Sequence, residues 1–353
     1  MPVPPISGRL QWTDVPSALR TCLEDALGAP VTDTATPAGG FGHQLAAALT
    51  LAGGRRAFVK AAPDDDPLTA ANVHEAAVLD ALPSGAPAPD LLGIHHADGW
   101  TAVVIAHLDG PHPDLSPASG DADHTWALLD KLTSSPASAP YAAAVSTAPS
   151  TAAALHGWNE LLSDPPADLA PSARDRLPQL AELEAAWPAL AHGDRIVHGD
   201  LRADNMVRDH HRGVTFVDWA HATTGPACID AASLAPQLVL AGHTPEDVAR
   251  LLRDHPATAS NPDTTTAFLA ALTGHWHRNA RKPAPPGTPG LRAYQHRAAA
   301  AGLAILNHRL AQGCAPGPPG KHHRSPQTSS ASHSATPNTS RPSRGWPSTT
   351  VRG

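Results

Sequence analysis

Residues 198–205 read His-Gly-Asp-Leu-Arg-Ala-Asp-Asn, and Phe216-Val217-Asp218-Trp219 follows, with Asp218 thirteen positions after Asn205. Together they place a carboxylate at Asp200, an amide at Asn205 and a second carboxylate at Asp218. The two loops are flanked by strand-like runs, Ile196-Val197 and Val214-Thr215-Phe216-Val217. A carboxylate that takes or orients a hydroxyl proton, beside two oxygen ligands for a hard cation, is what Mg-dependent phosphoryl transfer requires. Asp200 is therefore the candidate base, and Asn205 and Asp218 are the candidate Mg2+ ligands. Any one of them alone reads as a polar residue capping a turn; the three at this spacing read as a site.

The neighbours have less definite roles. Asp204 could substitute as a ligand or face solvent. His198 suits anchoring of the backbone better than proton transfer. Arg202 either touches a phosphate or anionic substrate or forms a surface ion pair. The chain has 22 histidines, and His192, His198 and His221 with Asp200 and Asp218 are conceivable ligands of a metal-hydrolase centre. Their spacing fits no zinc pattern, and paired histidines recur elsewhere, which points to compositional bias.

The elements that must position these loops follow from periodicity. Val15, Leu19, Leu23 and Leu27 predict a helix over 14–28, stopped by Gly28-Ala29-Pro30. Short strand-like pieces over 31–62 end in Ala57-Phe58-Val59-Lys60. Helical spacing returns over 68–82 with Glu75 inside, and strands are expected at Leu91–His95 and Trp100–Ile105. Lys60 at a strand end could reach the α- and β-phosphates of a nucleotide, with Glu75 as the ion-pair partner that holds it. Gly40 and Gly42, in Gly39-Gly40-Phe41-Gly42, could bring backbone N–H groups to phosphates or form a plain hairpin. Ile105–Asp109, with Ala106 and Leu108, sits where a hinge between lobes would offer backbone groups to adenine.

Beyond Asp109-Gly110-Pro111 the pattern is mostly helical: 121–134, 151–163, 176–191, 228–241, 245–254, 264–279 and 291–311. This predicts an α+β, bilobal fold with a small β-rich N-lobe and a larger, mostly helical C-lobe. The expected divisions are a nucleotide-binding lobe at 1–109, a catalytic and acceptor lobe at 110–312, and a tail at 313–353. The tail is rich in Gly, Pro, Ser, Thr and His, so it has too little apolar surface to offset ordering entropy and is expected to be disordered.

A length of 353 residues suffices for two lobes with a sizeable core. The net charge of -7 is spread along the chain, which argues against a nucleic-acid partner. Three widely separated cysteines argue against a disulfide framework and fit a cytoplasmic protein. The first eight residues lack the basic and apolar regions of a signal peptide. No apolar run approaches the roughly 18 residues of a membrane span.

With these residues in view, the chain resembles the aminoglycoside phosphotransferase family of enzymes with a protein-kinase-like fold. His198–Asn205, Val217-Asp218-Trp219, Gly225-Pro226 and Asp230 carry the resemblance, which extends over about 35–310. Gly199 stands where protein kinases have Arg, which favours small-molecule acceptors, and Ala220 stands where they have the Gly of Asp-Phe-Gly. The resemblance implies an ATP-dependent, Mg2+-requiring kinase acting on a hydroxyl of a small molecule. It also implies that Lys60 and Glu75 anchor ATP and that Asp230 braces the catalytic loop. Relatives phosphorylate aminoglycosides, choline, homoserine and fructosamines. Arg278, Arg281, Lys282, Arg292 and Arg297 lie on the helices expected to wall the acceptor pocket, which argues for an acceptor that is not strongly cationic. A nucleotide-binding pseudokinase and a metal-dependent hydrolase are the alternatives.

Overall fold

The computed structural model describes residues 9–37, 43–285, 288 and 290–311. Gly40, Gly42 and the 313–353 tail lie outside them. Five antiparallel strands form the first sheet: β1 (Val31–Ala35), β2 (Leu45–Leu51), β3 (Arg56–Pro63), β4 (Leu91–Ala97) and β5 (Trp100–Ala106), in the order β1-β2-β3-β5-β4. Helix α1 (Ser17–Leu27) precedes the sheet and α2 (Pro67–Ala81) lies between β3 and β4. The start of α2 is fixed by Asp66, whose side chain accepts the Leu68 N–H, and by Pro67 in the first turn.

Strands β2 and β5 are buried on both faces, so their sequences read as near-continuous apolar runs, while the edge strands β1 and β4 are largely exposed. Leu19 and Leu23 of α1 pack with Leu45, Ala47, Leu49, Val59, Ala102 and Val104. The alternate residues Val103 and Ile105 turn the other way, onto Ala76, Val78 and Leu79 of α2 and onward into the helical part. Period two along β5 therefore joins two cores through one strand. Lys60 alternates with Val59 and Ala61 and projects to the α2 side.

The helical part comprises α3 (Asp121–Thr133), α4 (Ala139–Ala144), α5 (Ala148–Ala152), α6 (Trp158–Ser163), α7 (Pro171–Asp175), α8 (Leu177–Leu190), α9 (Cys228–Leu240), α10 (Pro245–Asp254), α11 (Pro256–Ala259), α12 (Pro262–Asn279) and α13 (Leu291–Ala311). Short strands interrupt it. β6 (Ser146–Thr147), β7 (Arg195–Val197) and β10 (Thr223–Gly225) make one small sheet, and β8 (Met206–Asp209) pairs with β9 (Gly213–Phe216) as a hairpin.

The helix expected over 151–163 is two helices, α5 and α6. Glu184 of α8 accepts the N–H groups of Gly157, Trp158 and Asn159 at 2.7, 2.8 and 3.0 Å, which starts a new helix there. A Cβ at Gly157 would lie 2.0 Å from the Gly274 carbonyl oxygen. A long-range carboxylate and a close backbone crossing thus override the local helical period.

Candidate active site

The loop after β7 is fixed before any catalytic atom is considered. Asp230, on the first turn of α9, accepts the His198 N–H at 2.7 Å and the Gly199 N–H at 3.0 Å. Burial pushes its carboxyl up to about 6, against the pull of those two donors. Gly199 has φ +83°, and a Cβ there would lie 2.3 Å from the His221 carbonyl oxygen. Only glycine meets both demands, which accounts for its presence where protein kinases carry Arg.

His198 is fully buried against Trp219, with ring centroids 4.6 Å apart. Burial lowers its pKa to about 4, so the ring is neutral. Nε2–H donates to the Val217 carbonyl at 3.0 Å, while Nδ1 faces the Asp200 N–H at 3.4 Å. One tautomer satisfies both contacts. The imidazole therefore ties the two loops together and takes no part in proton transfer.

Asn205 makes the next link. Its Nδ2 donates to the Asp200 carbonyl at 2.8 Å and to Asp200 Oδ2 at 3.0 Å, and its carbonyl accepts the Val217 N–H at 2.9 Å. With both amide protons committed to Asp200, Oδ1 is the atom left for a cation. Asp218 follows in the left-handed region at φ 66°, which turns its side chain back toward Lys60. Lys60 Nζ lies 2.6 Å from Glu75 Oε2 and 2.8 Å from Asp218 Oδ1. Glu75 Oε1 also accepts the Trp219 N–H at 3.3 Å.

Burial alone would lower the Lys60 pKa, but the two carboxylates outweigh it and hold the amine charged. Burial raises Asp218, yet the Lys60 ammonium keeps its carboxyl below the usual range. Burial raises Glu75 against the same ammonium. Asp200 is raised, first by burial and then by Asp218 and Asp204, while Arg202 and His221 oppose the rise. A higher pKa makes Asp200 the stronger base.

Oxygen donors from Asn205 and Asp218 fit Mg2+, which is held by one or two protein ligands and completed by phosphate oxygens and water. Among the described residues no three His, Cys, Asp or Glu side chains gather to hold a metal by themselves. The hydrolase set is also undercut by His198, whose two nitrogens are both engaged. Asp204 is held by Arg202 Nε at 3.0 Å.

Ala106 closes β5 and donates its N–H to the Asp90 carbonyl at 2.8 Å. That N–H is therefore engaged within the lobe, and Leu108 lies in the loop that follows. Sequence reasoning missed Asp209, which steadies this loop: its Oδ2 accepts the Asp109 N–H at 2.9 Å, and its Oδ1 caps the β8–β9 turn at His211 and Arg212. Its only signal was an Asp before a His-His-Arg-Gly turn.

A pocket of about 250 Å3 opens beside Asp200, lined by Leu155, Arg202, His221, Ser233, Leu272, His275, Trp276 and Tyr294 among others. No sequence pattern gathered these residues, which come from α9, α12, α13 and three loops. None of the five basic residues expected in its wall lines it. Arg278 pairs with Glu160 at 3.1 Å, Arg281 with Asp168 at 3.3 Å, and Arg292 bonds the Pro283 carbonyl.

A five-stranded lobe presenting a lysine–glutamate pair to a carboxylate–amide–carboxylate loop in a helical lobe defines a phosphotransferase of protein-kinase-like fold. The chain belongs to the phosphotransferase enzyme family, whose sequence pattern matches residues 35–267. Among curated proteins none matches the chain by sequence. Several solved structures share the fold at low identity. Spectinomycin phosphotransferase APH(9)-Ia, in complex with ADP and spectinomycin, superposes with a TM-score of 0.55 at 8% identity, covering 83% of this chain and 97% of its own. Choline kinase LicA from Streptococcus pneumoniae gives 0.53 at 14%, covering 80% and 98%. A thermostable mutant of aminoglycoside phosphotransferase APH(4)-Ia gives 0.52 at 14%, covering 84% and 99%.

Proposed function

We propose that this protein is a kinase that transfers the γ-phosphoryl group of ATP to a hydroxyl of a small molecule. Residues 1–109 form its nucleotide lobe and 110–312 its catalytic and acceptor lobe. The observation that carries the reading is one unbroken set of contacts: Glu75 to Lys60, Lys60 to Asp218, Val217 to Asn205, and Asn205 to Asp200. It joins a cation suited to nucleotide phosphates to a carboxylate suited to a hydroxyl.

In this reading Lys60 leaves Asp218 for the phosphates while Glu75 keeps it in place. Asn205 Oδ1 and Asp218 would hold Mg2+, which when bound would supply charge neutralisation at the phosphates. Backbone groups near Leu108 take the adenine, and Gly40 and Gly42 belong to the loop proposed over the phosphates. Asp200 orients the acceptor hydroxyl and receives its proton. The hydroxyl oxygen bonds to the γ-phosphorus, the bond to the β,γ-bridging oxygen breaks, and ADP leaves. In this reading the acceptor occupies the pocket beside Asp200, between Ser233 of α9, Trp276 of α12 and Tyr294 of α13.

The test is Asp200→Ala. Turnover over a broad panel of hydroxyl acceptors should fall by roughly 100-fold or more, while Mg-ATP affinity by calorimetry stays within about threefold. A wild-type protein that binds Mg-ATP and phosphorylates nothing in the panel would instead be a pseudokinase.

A further inference from the structure

We propose that the acceptor is a single-ring hydroxyl compound, neutral or anionic, and that Arg202 and Tyr294 select it over ammonium-bearing analogues. This deepens the kinase reading above and rests on it.

Size comes first. The cavity of about 250 Å3 is smaller than the roughly 300–1,000 Å3 of clefts that enclose drug-sized ligands. One ring fits inside it; a chain of linked amino-sugars would extend beyond its mouth.

Charge comes second. Among the described residues Asp200 is the one carboxylate in the lining; it is committed to the reacting hydroxyl and lies 3.6 Å from Arg202 Nη1, while Arg202 Nε holds Asp204 at 3.0 Å. The nearby carboxylates on the outer wall are engaged as well, Glu160 with Arg278 and Asp168 with Arg281. An ammonium group entering the pocket would be desolvated where these carboxylates are already paired with arginines. An aromatic cage is the other way to hold a cation. Here the Arg202 guanidinium carbon sits 5.5 Å from the centre of the Tyr294 ring, so that face is taken.

Hydrogen-bonding character comes third. The Tyr294 hydroxyl accepts a proton from Gln237 Nε2 at 2.8 Å and keeps its own to donate. His275 is an uncharged wall: Nδ1 donates to the Ala154 carbonyl and Nε2 accepts from Asn279. Leu155, Leu272 and Trp276 supply apolar surface. The pocket thus offers a donor and apolar walls to a ring oxygen, hydroxyl or carboxylate.

The experiment uses matched single-ring pairs, such as a hexose and its 2-amino-2-deoxy counterpart or a cyclitol and its aminocyclitol. Binding is measured by ligand-observed NMR and calorimetry at a pH where the amines are charged. The hydroxyl member of the preferred pair should bind at least about 10-fold tighter. Tyr294→Phe should weaken that ligand by about 3- to 10-fold. Because Gln237 then loses its acceptor, the urea midpoint is read beside it to separate lost stability from lost binding. Arg202→Gln should narrow the gap between pair members. An amine member bound as tightly as its partner, or no binding by any member, overturns the inference. Hydroxyl-selective binding without phosphoryl transfer would leave it standing and sink the kinase reading. Efficient transfer to the amine members would do the reverse.

Discussion

Asp230 and His198 are joined by a backbone N–H donated at 2.7 Å to a carboxylate on α9, and the next N–H, from Gly199, goes to the other oxygen at 3.0 Å. One side chain, buried and far along the sequence, thereby sets the direction in which Asp200 leaves β7. Removing it leaves two buried donors without partners. Asp230→Ala should cost about 2–4 kcal/mol of stability by urea unfolding and lower kcat by roughly 10- to 100-fold. An Asp230→Asn enzyme with unchanged kcat would dismiss loop positioning as its role.

The Lys60 ion pairs give a second expectation. Lys60→Met leaves the Glu75 and Asp218 carboxylates facing each other with the ammonium gone, so both stability and nucleotide binding should suffer. We expect a loss of about 3 kcal/mol or more and a rise in ATP KM of roughly 10-fold or more. Glu75→Gln keeps an oxygen for the Trp219 N–H and should cost less on both counts. Calorimetric titration with Mg-ATP separates the two variants, and equal losses would show that Glu75 does more than hold Lys60.

Gly199 gives the sharpest steric expectation. In Gly199→Ala the new methyl meets the His221 carbonyl oxygen at 2.3 Å in a backbone conformation that disfavours alanine. The loop must shift, and displacement of a base by about 1 Å is worth on the order of 100-fold in turnover. Steady-state kinetics should show that loss in kcat with ATP affinity largely kept. Full activity would mean the loop tolerates another path.

Two buried groups predict opposite pH dependences of stability. Burial lowers His277 to about 4, so the folded state binds fewer protons than the unfolded one between that value and 6.5. Its contribution is present above 6.5 and is lost as the pH falls toward 4. The stability difference between wild type and His277→Phe should therefore grow in favour of wild type by roughly 3 kcal/mol from pH 4 to 6.5. Asp230, raised to about 6, runs the other way: its protonated form favours folding, and that contribution is lost as the pH rises from 3.8 through 6. Urea midpoints of the wild type, His277→Phe and Asp230→Asn across this range should give difference curves of opposite slope.

Much of the site was legible because its parts are local. His198–Asn205 and Val217–Trp219 lie within one stretch whose apolar flanks mark strands, and Lys60 closes a short strand-like run. The two-lobed α+β fold followed from where short strand-like pieces give way to helical period. The break at Gly157 was not legible, since it depends on Glu184 and Gly274 from two other helices. Nor was the role of Asp209, which reaches back one hundred residues to Asp109.

The sequence by itself determined the chemistry: which carboxylates, amide and lysine are present, and at what spacing. Side-chain type and short-range periodicity carry that information within a few residues. Tertiary structure alone decided what the chemistry faces. Tyr294 and Trp276 share a pocket with Arg202 only because α12 and α13 pack beside the loop after β7. It also decided where the positive charge goes, drawing Arg278 and Arg281 to Glu160 and Asp168 and leaving Arg202 in the pocket. Those pairings join residues more than a hundred positions apart, and no local pattern encodes them.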